Sequence, residues 1–451
     1  MKRALWKSRI GFISAAVGSA VGLGNIWRFP YVVGEGGGAA FVLVYVMCLF
    51  LVGLPVLLSE ITIGRKTKLS PEAAFEKLGR SRGWKLSGRV TIFTGLIVAA
   101  FYSVVSGWTL GYLVEALMGR LTHFETANQA QSYFQQLTSS SWWSTGFHLA
   151  FMVASAGILY AGVQRGIEAW NKFLMPLLFI VLLALVVKGL TMSGSERGLK
   201  FLFQPDWSAI GPKMILMALG QAFFALSLGQ GTMVTYGSYV SDQENIPSTC
   251  LPIATFGLFI SLLAGIAIFS IVFSVGLSPD AGPSLMYETL PLVFSQVKGG
   301  YILGVAFFLL VLVAAITSQI SAMEPMIAYL SDRFKLPRHR AVRITALSAF
   351  LLGLPCALAF GAWSHVKLWG MNLFELISAT AVNILIPLGG LAAVLLLGWR
   401  WGLKPAFQHI SSGAEDFTKR YVYLISYLKF AIKYTAPIAI IIIISNSIGI
   451  F

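Results

Sequence analysis

The residues with the most chemical potential in this chain are glycines. The stretches Gly18-Ser19-Ala20-Val21-Gly22-Leu23-Gly24-Asn25 and Phe224-Ala225-Leu226-Ser227-Leu228-Gly229-Gln230-Gly231 interrupt two apolar runs. Each interior glycine costs a helix up to about 1 kcal/mol, and peptide groups freed inside a bilayer cannot face hydrocarbon. Such breaks persist where they line a site or pack tightly. At a site, the amides that start a half-helix suit a carboxylate, and the carbonyls that end one suit a cation. Close packing through Gly18-x-x-x-Gly22 is the competing explanation for the first break taken alone. A second break five spans later favours a site.

The elements that must hold these breaks are membrane spans. Of 451 residues, 57% are hydrophobic and 11% charged, against about 25% charged in soluble domains, and mean hydropathy is +0.77. Mostly apolar windows of 18 or more residues fall near 10–33, 40–64, 91–118, 147–163, 171–190, 214–240, 250–277, 300–330, 342–361, 372–398 and 424–450, the fourth being short. A crossing needs about 20 residues. The chain is read as one transporter domain, 1–451, in which an odd number of spans inverts the second copy of a repeat. Repeat one covers about 10–190, repeat two about 214–398, and an extra helix about 424–450.

Cations mark one side. They crowd the N-terminus (Lys2, Arg3, Lys7, Arg9) and the connections after spans two, eight and ten, whereas 119–146 carries only Arg120 and 278–299 only Lys298. The positive-inside rule therefore places the N-terminus in the cytoplasm and Phe451 outside, with an inner membrane of a prokaryotic cell as the expected location. The net charge of +15 does not indicate nucleic acid, because these cations lie between apolar runs rather than in one patch. Membrane lipid is the expected surround. Cys48, Cys250 and Cys356 read as small buried hydrophobes.

The run from Gly18 to Asn25, continued by Ile26-Trp27-Arg28-Phe29-Pro30, closely resembles the first-helix signature of the neurotransmitter:sodium symporter family, which includes a bacterial leucine transporter. Gly220-Gln221-Ala222-Phe223-Phe224 through Ser227-Leu228-Gly229 is similar to the family's sixth helix. Arg165-Gly166-Ile167-Glu168 is similar to the start of its fifth, and Thr317-Ser318 with Pro325-Met326-Ile327-Ala328 to its eighth. The resemblance covers nearly the whole chain. It implies an all-α polytopic membrane protein of the LeuT type, a 5+5 inverted repeat with discontinuous helices 1 and 6 and eleven transmembrane helices. The implied function is sodium-coupled symport of a neutral α-amino acid into the cell by alternating access, and not an enzyme activity.

The resemblance assigns a sodium ion to the carbonyls of Gly18, Val21 and Ala314 and the hydroxyls of Thr317 and Ser318. Back-bonding within their own helix is the competing role for those hydroxyls. The family's second sodium site is matched only at Ala20 and Asn25, since its hydroxyl and amide positions hold Ala225 and Gly257; that site is expected to be weak or absent. Chloride-dependent relatives use positions matching Tyr45, Gln221 and Ser261, a partial set that leaves chloride dependence open.

The implied substrate pocket comprises Ser19, Ala20, Leu23, Gly24, Val98, Tyr102, Phe224, Ser227, Gln230, Ser318 and Ala322. Monoamine carriers place an aspartate at the position of Gly22, so glycine there favours a substrate with its own carboxylate. Gln230 and Ala322 stand for larger apolar residues and suggest a medium or large neutral side chain. The implied gates are Arg3 with Asp332 and nearby Tyr239 on the cytoplasmic side, and Arg28 outside, where Asn372 replaces the usual acidic partner. The spacing of Gly166 and Pro176 serves relatives for unwinding the fifth helix, with a static kink as the alternative.

A proton-coupled amino-acid carrier is the second reading; it would rest on Glu60 or Glu375, which fall in apolar spans where an unpaired charge is costly. An ion channel is less favoured, because a filter is usually built by subunit symmetry. Catalysis would need clustered groups, whereas His123, His148, His339, His365 and His409 are scattered. Oligomeric state is not readable from the chain.

Overall fold

The computed structural model describes residues 5–277 and 285–447. Helices fall on every predicted span. Among the described residues eight are long and apolar enough to cross a membrane, and the bent pair Arg9–Ala20 and Gly24–Glu35 makes a ninth. The fourth and sixth spans fall short of that standard: Ser141–Tyr160 is less apolar, and the sixth is split into Pro212–Ala225 and Thr232–Ser238.

Local chemistry explains where boundaries moved. The fourth span starts at Ser141, earlier than its apolar window, because the Ser140 side chain accepts from the Trp143 N–H, satisfying an otherwise orphaned donor. It stops before Gly162, whose φ is +90°. Likewise Ser81 caps Arg82–Leu117, so the third span reaches well into the basic segment. A short hairpin, Lys367–Leu368 with Met371–Asn372, is the one pair of strands among the described residues. Its turn uses Trp369 and Gly370, both at positive φ.

The core lies between the broken spans and their neighbours. The first span packs against the fifth (Val163–Leu190), seventh (Ile246–Ser274) and eighth (Gly300–Phe334). The second half of the sixth rests on Ala39–Thr67. Small residues permit the approach: a Cβ on Gly64 would lie 2.0 Å from the Val234 carbonyl oxygen, and one on Gly237 would lie 2.5 Å from that of Ile61.

Candidate functional site

Both predicted breaks are real interruptions. In a continuous helix the Gly18 and Val21 carbonyls would receive the N–H groups of Gly22 and Asn25. Instead the Gly22 N–H donates to the Ala20 oxygen at 3.2 Å and that of Asn25 to the Gly22 oxygen at 3.1 Å. The two carbonyls lose their helical partners at a bend of 48°. In the sixth span, Ser227, Gly229 and Gly231 all adopt positive φ; only glycine does so without steric cost. The Gly229 N–H donates to Glu60 Oε1 at 2.7 Å. A carboxylate buried in the second span therefore closes the backbone of the break, a role that spacing along the chain does not reveal. A Cβ at Gly229 would also strike the Ile386 oxygen at 1.8 Å.

The breaks face one small cavity of about 30 Å³. Ten of the eleven implied substrate residues line it, and Gly22, Phe223, Leu228 and Ile386 complete the wall. Leu23 is not part of that lining, but its N–H donates to Tyr102 Oη at 3.0 Å. Ser227 Oγ and Ser318 Oγ donate to the Ser19 oxygen at 2.8 and 3.1 Å, binding the two breaks and the eighth span together. Gly22 has no room for a side chain: its Cβ would lie 2.0 Å from Ser318 Oγ and 2.8 Å from Tyr102 Oη. Gln230 is buried, and its Oε1 has no hydrogen-bond partner.

Three residues of the implied sodium site, Gly18, Ala314 and Thr317, lie together. Gly18 touches the eighth span, because a Cβ on it would lie 3.5 Å from Thr317 Cβ. Ala314 and Thr317 are fully buried beside it, with Thr317 Oγ1 donating back to the Ala314 oxygen at 2.9 Å. The hydroxyl proton is thereby turned away, and its lone pairs remain available to a cation. The three peptide oxygens and two hydroxyls that the resemblance implies are neutral oxygen donors, the kind that suits a hard cation. At the second position, Asn25 Nδ2 donates to the Gly257 oxygen at 2.9 Å, and Asn25 Oδ1 is buried without a partner. Both ends of the Gln221 amide are engaged: Nε2 donates to the Gly24 oxygen at 2.8 Å and Oε1 accepts from Arg28. Ser261 bonds back to the Gly257 oxygen.

At Arg28 and Asn372 the hydrogen-bond partners differ from the pairing that the resemblance implies. Arg28 pairs with Gln221 and lies 5.5 Å from the centroid of the Phe224 ring, a contact that joins the two broken spans directly. Asn372, expected opposite Arg28, instead caps the tenth span: its side chain accepts from the Glu375 N–H, while Glu375 accepts from the Asn372 N–H, both at 2.9 Å. Glu375 therefore sits in an exposed first helical turn rather than inside the span. The local spacing Asn-x-x-Glu carries this signal.

At the end predicted to face the cytoplasm, Arg3 lies outside the described residues. Asp332 Oδ2 accepts from the Ser70 N–H at 2.8 Å. Trp6 donates through Nε1 to the Tyr236 oxygen and through its N–H to the Tyr239 oxygen, both at 3.0 Å. Tyr239 Oη donates to Glu324, which Arg338 grips with two bonds of 2.8 Å. Glu324 is another acid inside an apolar run, and that run is the signal by which it is found. Ser70, Tyr239, Asp332 and Arg338 line a cavity of about 530 Å³. Lys68, at its rim, has its ammonium pKa lowered by burial, an effect that neighbouring Asp242 partly offsets. The fifth span is helical throughout, with a π turn at Val163–Glu168 and Pro176 inside the helix.

An all-helical membrane bundle whose two broken spans enclose a common cavity has the architecture of a secondary transporter. The chain belongs to the sodium:neurotransmitter symporter family, whose model matches residues 3–140 and 134–451. It is similar to the uncharacterized sodium-dependent transporter YhdH of Bacillus subtilis (strain 168), 37% identical over 445 residues and covering 99% of this chain and 98% of the relative. An uncharacterized sodium-dependent transporter of Haemophilus influenzae is 33% identical, with coverage of 99% and 98%. Among solved structures, the crystal structure of MhsT in complex with L-phenylalanine is 40% identical, covers 99% of this chain and 100% of its own, and superposes with a TM-score of 0.90.

Proposed function

We propose that this transporter moves a neutral α-amino acid into the cell together with sodium, by alternating access. The observation that carries the reading is the meeting of both breaks on one cavity, with the Gly18 and Val21 carbonyls stripped of their helical partners. The substrate carboxylate lies against the amide end of the first break and Tyr102 Oη, and Gly22 leaves the α-carbon region free. Phe224 covers the pocket. Gln230 offers one polar contact at the side-chain end, which suits a medium or large neutral side chain. The phenylalanine in the MhsT structure supports this size class.

Sodium occupies the oxygens of Gly18, Val21, Ala314, Thr317 and Ser318, and the second position at Ala20 and Asn25 is weak. At about 100 mV one charge contributes about 2.3 kcal/mol, and a tenfold sodium gradient adds about 1.4 kcal/mol. One sodium per substrate thus supports several hundredfold accumulation. The N-terminus faces the cytoplasm, so the cavity at Tyr239 and Asp332 is the inner vestibule.

Uptake by proteoliposomes under separately imposed sodium, proton and chloride gradients tests the reading, with each of the twenty amino acids as competitor. Saturable uptake driven by sodium with a Hill coefficient near one, inhibited by medium and large neutral amino acids, is expected. Uptake driven by protons alone, or inhibition confined to glycine or monoamines, rejects it.

A further inference from the structure

We infer that Asn171, on the fifth span, supplies an additional oxygen to the sodium ion held between the first and eighth spans. The inference rests on the sodium reading above and adds a ligand from a third helix.

Asn171 is completely buried, and its Oδ1 has no hydrogen-bond partner. The orientation of the amide is not arbitrary. Nδ2 donates to the Ile167 carbonyl oxygen at 2.8 Å, and a carbonyl can only accept, so the other amide atom must be the oxygen. That oxygen lies against the first break: a Cβ on Gly18 would fall 1.9 Å from Asn171 Oδ1 and 3.5 Å from Thr317 Cβ. Glycine at position 18 thus makes the space into which the amide oxygen projects, beside two of the residues assigned to the ion.

Neighbouring donors are already committed. The Thr317 hydroxyl proton goes to the Ala314 oxygen. The ammonium of Lys172 lies 2.7 Å from Glu168 Oε1 and 3.3 Å from Ser8 Oγ. A buried amide oxygen without a donor is unfavourable, and a hard cation satisfies it as well as an N–H does. Because Asn171 lies between the π turn at Val163–Glu168 and Pro176, this contact lets the fifth span sense whether sodium is present.

The test uses the purified full-length transporter and sodium itself as the probe. Thermal unfolding is followed against sodium chloride at constant ionic strength with choline chloride, for wild type, Asn171→Ala, Asn171→Leu, Asn171→Asp and Thr317→Ala. The Ala and Leu variants are expected to raise the sodium midpoint about tenfold, and Asn171→Asp, which keeps an oxygen in place, to stay within about threefold of wild type. Should Leu fail to fold in choline, the Ala and Asp pair carries the comparison. An unchanged midpoint in Asn171→Ala, with Thr317→Ala shifted, overturns this inference and leaves the sodium reading standing. Equal shifts in all three Asn171 variants assign the residue to packing and also overturn it. A wild type that does not respond to sodium removes the sodium reading itself.

Discussion

At Gly22 the absence of a side chain is the chemistry. A methyl group there would sit 2.0 Å from Ser318 Oγ and crowd Tyr102 Oη, two groups on the wall of the proposed substrate pocket. Overpacking of this kind costs about 1–3 kcal/mol, and the strain falls on the binding geometry. Gly22→Ala is therefore expected to weaken sodium-dependent substrate binding by roughly ten- to a hundredfold while the protein still inserts and folds. A competition assay on purified protein checks this; affinity within a factor of about two of wild type would show that the eighth span yields easily. The reading of this position rests on the family resemblance, which places an aspartate there in monoamine carriers; residue type alone does not supply it. Asn171 was not legible in the sequence: an asparagine in an apolar helix is ordinary until its oxygen is found facing Gly18.

For the sixth span, the broken backbone depends on a carboxylate 169 positions away in sequence. Glu60 receives the Gly229 N–H, and a buried donor left without its acceptor costs about 1–3 kcal/mol. Glu60→Leu is expected to lower thermal stability by that order and to abolish uptake, whereas Glu60→Gln keeps an acceptor and retains sodium-driven uptake. Loss of transport in a folded Glu60→Gln protein would instead favour proton coupling. Element positions were readable because hydropathy dictates where a bilayer segment lies, and glycine density marked both breaks. The tenth span shows the limit. Its Asn-x-x-Glu capping box was written in the local sequence, yet alignment to family positions assigned Asn372 to a gate.

Across the whole molecule, a chain of hydrogen bonds at the end predicted to face the cytoplasm runs through Trp6, Tyr239, Glu324 and Arg338. Glu324 is fully buried, and Arg338 holds it with two bonds. Removing one partner of a buried pair costs about 3–5 kcal/mol, a penalty relieved if water enters. Arg338→Met is thus expected to favour states open at that end. The check is labelling of Ser238→Cys, a position buried behind Tyr239, in a background without the three native cysteines; it should react faster when Arg338 is replaced, and an unchanged rate would rule out this latch. The amino-acid sequence by itself determined the membrane class, the order of spans and the two interruptions. Each follows from local composition, since a bilayer penalises any unpaired peptide group or charge wherever it stands. Tertiary structure alone decided the partners: Glu60 with Gly229, Arg28 with Gln221, Glu324 with Arg338, and Asn171 beside Gly18. Those pairings join residues far apart in the chain, and which buried donor meets which acceptor depends on how the helices pack.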